Sequence, residues 1–123
     1  MDRKKILLVD DSNTVLLMEK MILSKSPYDL VTASDGQEGF DKAVSEKPDL
    51  ILLDVVMPKM DGFEVCRRLR ARDEMRRVPV IIVTTRGEPK SVETGYQSGC
   101  TDFITKPING LELLSKVKSY LEE

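Results

Sequence analysis

Histidine and tryptophan are absent from this 123-residue chain, which carries only two cysteines, three tyrosines and three phenylalanines. Without histidine there is no Ser-His-Asp or Cys-His nucleophile, no histidine haem ligand and no His-Glu-x-x-His metalloprotease helix. Cys66 and Cys100 form no Cys-x-x-Cys pair, so a zinc site lacks ligands and both read as reduced thiols. No apolar run approaches the roughly 18 residues of a membrane span; the expected location is cytoplasmic, with no membrane partner. Charge of one sign is lacking too. Nineteen basic residues face 21 acidic ones for a net charge of −2, which sets up no field for nucleic acid. No glycine-rich phosphate loop follows any strand, which removes the nucleotide-binding α/β folds. No helix-turn-helix is found either, and no direct nucleic-acid contact is expected. Carboxylate, hydroxyl and lysine chemistry remain.

What is present is a strand-then-helix alternation repeated five times without linker or low-complexity stretch. The first strand spans about Lys5 to Val9, and its run Ile6-Leu7-Leu8-Val9 is continuously apolar, as for a strand buried on both faces. A cap at Ser12 or Asn13 starts the first helix, with Val15, Leu16, Met18, Met21 and Ile22 as its inner stripe, ended by Pro27. The second strand is Asp29 to Ala33. Its helix follows Ser34, with Gln37 as capping-box partner and Phe40, Ala43 and Val44 turned inward. Pro48 opens the third strand, Leu50-Ile51-Leu52-Leu53, and Asp61-Gly62-Phe63-Glu64 caps a third helix that buries Phe63, Val65, Cys66 and Leu69.

The fourth strand runs from Pro79 to Thr84, and Pro89 suits the first turn of a fourth helix that is weakened by an internal Gly95. A short fifth strand, Asp102 to Ile104, leads through Thr105-Lys106-Pro107 to a helix capped by Asn109, with Leu111, Leu114, Val117 and Leu121 facing the core. The expectation is a single-domain α/β fold, a (βα)5 doubly wound parallel sheet for which the strand order 2-1-3-4-5 is one solution. One domain is expected over residues 1–123, with no output domain in the chain.

Ligands of such sheets bind beyond the carboxyl ends of the strands, where strand order reverses. Asp10 and Asp11 follow the first strand there, Asp54 the third, Thr84 ends the fourth and Lys106 follows the fifth. Clustered carboxylates about 5 Å apart repel by roughly 3 kcal/mol per pair at an effective dielectric near 20, a cost that a cation removes. Magnesium suits such a set better than calcium, because it takes a few carboxylates and keeps waters or a phosphoryl oxygen. A threonine hydroxyl and a lysine ammonium complete a phosphoryl site. Asp54, beside a loop containing Gly62, is then the expected nucleophile, with Asp10 and Asp11 holding the metal.

Asp10-Asp11, the run Asp54-Val55-Val56-Met57-Pro58-Lys59-Met60-Asp61-Gly62, Thr84, and Asp102-Phe103-Ile104-Thr105-Lys106-Pro107 resemble the receiver domain of two-component response regulators over essentially the whole chain. The resemblance implies the flavodoxin-like strand order 2-1-3-4-5. It implies Asp54 as phosphoacceptor, with Asp11, Asp54 and the Val56 backbone carbonyl on Mg2+ and Asp10 acting partly through water. Lys106 would pair with the phosphoryl group and precede a cis proline. It also implies a cognate histidine kinase or phosphotransfer protein as donor, and a chain that is a phosphoprotein switch rather than an enzyme.

Readout, on the same resemblance, passes from Thr84 to Phe103, reshaping the face of the fourth helix, fifth strand and fifth helix to control binding of a downstream protein, as monomer or phosphorylation-dependent dimer. Thr85 stands where a small residue is usual and adds bulk along that path. Val56 and Arg86 occupy positions that tune phosphoryl lifetime, and slow self-hydrolysis is the expectation. The run from Arg67 to Arg77 reads as a solvated face, and Tyr96 as a partner contact. Two other readings remain: a pseudo-receiver that binds partners unphosphorylated, and a small aspartate-nucleophile phosphohydrolase, which ordinarily carries an Asp-x-Asp motif that Asp10-Asp11-Ser12 lacks.

Overall fold

A computed structural model describes residues 3–85 and 89–121. Among them the chain alternates β1 (Lys5–Val9), α1 (Asn13–Leu23), β2 (Asp29–Ala33), α2 (Gly36–Glu46), β3 (Leu50–Leu53), α3 (Gly62–Arg70), β4 (Val80–Thr84), α4 (Pro89–Gln97), β5 (Asp102–Thr105) and α5 (Gly110–Leu121), with one 3-10 turn at Asp73–Met75. All strand pairings are parallel, and the order is β2-β1-β3-β4-β5. The expected doubly wound (βα)5 sheet is therefore the fold observed, and its order reverses between β1 and β3.

Successive strand residues point to opposite sheet faces. Leu7, Val9, Ile51, Leu53, Val80 and Ile82 pack with Ala43 of α2 and with Phe63, Val65, Cys66 and Leu69 of α3. Ile6, Leu8, Leu50, Leu52, Ile81, Val83 and Ile104 pack instead with Leu16 and Leu23 of α1 and with Leu113, Val117 and Leu121 of α5. Both faces are covered, which is why the central strands are apolar without alternation. No helix among the described residues is long and apolar enough to cross a membrane.

Three helices differ from expectation, two in phase and one in its cap. In α1 the buried residues are Leu16, Glu19 and Leu23, while Met18 and Met21 are exposed. Apolar residues lie on every side of this helix, so composition could not fix its rotation; packing chose the i, i+3, i+7 stripe. Helix α2 is capped by Asp35, whose carboxylate accepts the Glu38 amide at 2.7 Å, and Glu38 in turn accepts the Ser34 amide at 2.7 Å. The box thus sits one residue beyond the Ser34/Gln37 pair, and Gln37 bonds Asp41 on the outer surface. In α5 Leu113, not Leu111, enters the core, leaving Leu111 83% exposed.

The third helix buries Phe63, Val65, Cys66 and Leu69 as expected, capped by Asp61 through the Glu64 amide at 2.9 Å. Both cysteines are free and buried. Arg68, Arg72 and Arg76 form surface ion pairs with Glu64, Glu74 and Asp73. Arg70 departs from the solvated face. Its guanidinium donates to the carbonyls of Gly99 at 2.8 Å and Met75 at 2.6 Å, tying α3 to the turn after α4. Gly99 has φ +102°, a left-handed conformation suited to glycine.

Candidate phosphoryl and metal site

The ladder itself assembles the site. Val9 and Leu53 are register partners, and the Asp54 amide continues the pairing by donating to the Val9 carbonyl at 2.9 Å. Asp10, one step past Val9, is thereby set beside Asp54. On the other side Thr84 pairs with Thr105, and the Lys106 amide donates to the Thr84 carbonyl at 2.9 Å. Four strand ends thus converge through backbone hydrogen bonds, and each side chain emerges at the last residue of its strand or within two residues beyond it.

Carboxylate oxygens of Asp10, Asp11 and Asp54 come within 4.8 Å of one another. Asp10 and Asp54 are buried, and Asp11 is exposed at the mouth. The Lys106 ammonium lies 3.0 Å from Asp10 and 3.5 Å from Asp54, bridging the two buried acids. Asp10 also accepts the Ser12 amide at 2.9 Å, and Asp54 accepts the Val55 amide at 2.8 Å. Thr84 is buried at the β4 terminus. Val56 lies two residues past Asp54 and is exposed. Gly62 is needed where the loop returns: a Cβ there would strike the Asp54 carbonyl, so this glycine allows a close backbone approach. The Lys106-Pro107 peptide bond is cis, as the resemblance implied.

The electrostatics follow from burial. Desolvation and the negative Asp10 together raise the Asp54 carboxyl above its ordinary value, outweighing the nearby lysine. For Lys106, burial pulls downward, but the hydrogen bond and charge of Asp10 and the charge of Asp54 more than offset it, and its pKa stands above that of free lysine. An oxygen-only donor set with an ammonium already drawn between two of its members fits a hard divalent cation such as Mg2+. The three aspartates would hold it.

Glu19 went unnoticed in the sequence. It is 1% exposed on the buried stripe of α1, and burial, with the charges of Asp10 and Asp54, pushes its carboxyl up to about 8 against a smaller opposing pull from Lys106. One oxygen finds no hydrogen-bond partner among the described residues. The signal was an acidic residue at helical spacing from Leu16 and Leu23, visible only once the phase of α1 is known.

On the other flank, Phe103 is partly buried against the α2/α3-side core, beneath Gly95 of α4, where a Cβ would collide with its ring. The rings of Tyr96 and Phe103 lie 5.5 Å apart, and Tyr96 is half exposed. Thr85 is exposed just past the strand end. Arg86 lies outside the described residues. A surface depression of about 470 Å³ lies along α5, lined by Leu111, Leu114, Ser115, Lys118 and Ser119, and includes none of the acidic cluster.

A sheet of this order whose reversal point carries an acidic cluster and a lysine defines a class, and the sequence comparison agrees. The response regulator receiver domain family matches residues 6–118, so the chain belongs to that family, the receiver domain of two-component response regulators. It is 43% identical over 118 residues to the alkaline phosphatase synthesis transcriptional regulatory protein PhoP of Bacillus subtilis, covering 96% of this chain and 48% of that protein. Similarity to the DNA-binding dual master transcriptional regulator RpaA of Synechocystis is 38% identity, covering 95% of this chain and 48% of that one. The chain therefore spans about half the length of these curated relatives. Among solved structures, the chemotaxis protein CheY4 of Vibrio cholerae superposes with a TM-score of 0.91 at 33% identity, covering 97% of this chain and 99% of that one.

Proposed function

We propose that this receiver accepts a phosphoryl group on Asp54 from a partner histidine kinase or phosphotransfer protein, with Mg2+, and that the modified domain alters protein binding through the α4/β5/α5 face. The observation that carries the reading is the gathering of three carboxylates within 4.8 Å beside an ammonium 3.0 to 3.5 Å from two of them. In transfer, an Asp54 oxygen forms a bond to phosphorus as the donor's nitrogen–phosphorus bond breaks, and the departing imidazole keeps the electron pair and takes up a proton. A bound divalent cation would supply charge neutralisation for the phosphoryl oxygens. Asp10 and Asp11 would hold it together with Asp54 and the Val56 carbonyl. Lys106 and the Thr84 hydroxyl are assigned to the phosphoryl oxygens, where preorganised donors favour developing charge.

Asp54 in the aspartyl phosphate gains a group of roughly −1.5 to −2 charge with three acceptor oxygens. Thr84 turning toward it would free space for Phe103, whose ring is held by packing under Gly95 and beside Tyr96. That is a shift between two packings, and Thr85, exposed just past the strand end, would add bulk along that path. The proposal places the domain in the cytoplasm, acting as monomer or as a phosphorylation-dependent dimer. The expectation of no direct nucleic-acid contact gains no support from the relatives, one of which is named as DNA-binding.

Incubation with Mg2+ and acetyl phosphate, followed by intact mass, tests the reading. One phosphoryl group per chain is expected, abolished by Asp54→Asn and by chelator. An unaltered mass would leave the pseudo-receiver, and rapid multiple turnover of a phosphate ester would favour the phosphohydrolase. A pull-down comparing the two states then examines the switching face.

A further inference from the structure

We propose that Glu19 is a positioning residue for the phosphoryl site, the acceptor to which the Lys106 ammonium moves when a divalent cation enters the Asp10, Asp11 and Asp54 cluster. The inference rests on the proposed function and adds a residue to its site. Leu16 and Leu23, a turn to either side of Glu19 on the buried stripe of α1, pack among Leu8, Val83, Ile104 and Leu113. Glu19 thus enters the apolar layer between α1, α5 and the sheet, where a leucine would ordinarily sit. The charges acting on it are those of Asp10 from β1, Asp54 from β3 and Lys106 from the β5–α5 loop. A carboxyl there without full pairing is costly. One of its oxygens nonetheless has no partner among the described residues.

Lys106 provides the reason to keep it. In the structure the ammonium is spent on Asp10 and Asp54, two of the three carboxylates a cation would take. Cation entry repels it from both. Lysine is a compact point charge on a flexible stem, and the displaced ammonium has solvent or a nearby acceptor as its alternatives.

 Its side chain is only 17% exposed, and Glu19, whose carboxyl already feels the Lys106 charge and keeps an unpartnered buried oxygen, offers an acceptor away from solvent. The Glu19 oxygen left without a partner among the described residues can accept from the ammonium in either protonation state of the carboxyl. A lysine parked there stays inside the site, ready to return when phosphoryl oxygens arrive, rather than being lost to water.

The test compares Glu19→Gln, which keeps an acceptor oxygen, with Glu19→Leu, which removes it. Mg2+ affinity is measured by calorimetry, and the Lys106 side-chain resonance is followed by NMR during the titration, with folding checked by circular dichroism. Wild type and Glu19→Gln are expected to bind Mg2+ within about twofold of each other, and Glu19→Leu about tenfold more weakly, the loss of one charge-assisted hydrogen bond. The Lys106 signal should move to the same Mg2+-bound position in the first two and to a different one in the third. Equal affinities and equal Lys106 shifts in all three proteins would overturn the inference, as would a Glu19→Gln variant that behaves like Glu19→Leu. If wild type binds no Mg2+ and takes no phosphoryl group, the proposed function itself fails, whereas normal phosphorylation with equal affinities removes only the role of Glu19.

Discussion

Replacing Glu19 by leucine should make this protein more stable, and by an amount that depends on pH. In the folded chain the carboxyl is raised from 4.5 to about 8, first by burial and then by the charge of Asp10. Between those values the folded state holds a proton that the unfolded state has released, so stability falls as pH rises. The slope is about 1.4 kcal/mol per pH unit, and the penalty is complete only above about pH 8. Leucine has no such proton. The stability difference between Glu19→Leu and wild type should therefore widen by about 3 kcal/mol between pH 5 and pH 7.5. The other ionisable groups are the same in both proteins, and to first order their contributions cancel in the difference. Urea unfolding at several pH values in the presence of chelator measures it, and a gap that stays constant to within about 1 kcal/mol would refute the reasoning. Together with weaker Mg2+ binding by the same variant, the expected gain would mark Glu19 as a site where stability is given up for function.

Two further outcomes are expected. Arg70→Met removes donors to the Gly99, Met75 and Arg76 carbonyls, and a loss of about 2 kcal/mol or more in urea unfolding should accompany faster amide hydrogen exchange in the turn at Gly99 and Cys100; a change under about 0.5 kcal/mol would show that the clamp carries nothing. Burial pushes the Cys66 thiol up to about 11 and the Cys100 thiol up to about 12. At pH 8 both should resist iodoacetamide in the folded protein and react only after unfolding, and rapid labelling of the native state would contradict this.

Much of the fold was legible because the apolar strands are short, continuous and bounded by caps and prolines. The third helix was legible down to its buried stripe, since Phe63, Val65, Cys66 and Leu69 share one face while arginines occupy the rest. The first helix was not. Leu17, Met18 and Met21 are as apolar as the residues that pack, and all three end up exposed. Helix two was misplaced by one residue because Ser34-Asp35 and Gln37-Glu38 offer two overlapping boxes, and only the folded backbone selects Asp35 with Glu38.

The acidic tips at Asp10, Asp11 and Asp54, with Thr84 and Lys106, are written in the chain because each follows a recognisable strand, and parallel pairing brings strand ends to one edge. Sequence alone thus determined which groups gather at one edge of the sheet. Tertiary structure decided what surrounds them: the rotation of α1 that buries Glu19 below the cluster, the bridging of two acids by one ammonium, and the Arg70 clamp on the far side of α4. Those depend on packing between elements distant in the chain, where spacing along the sequence carries no information about distance or dielectric.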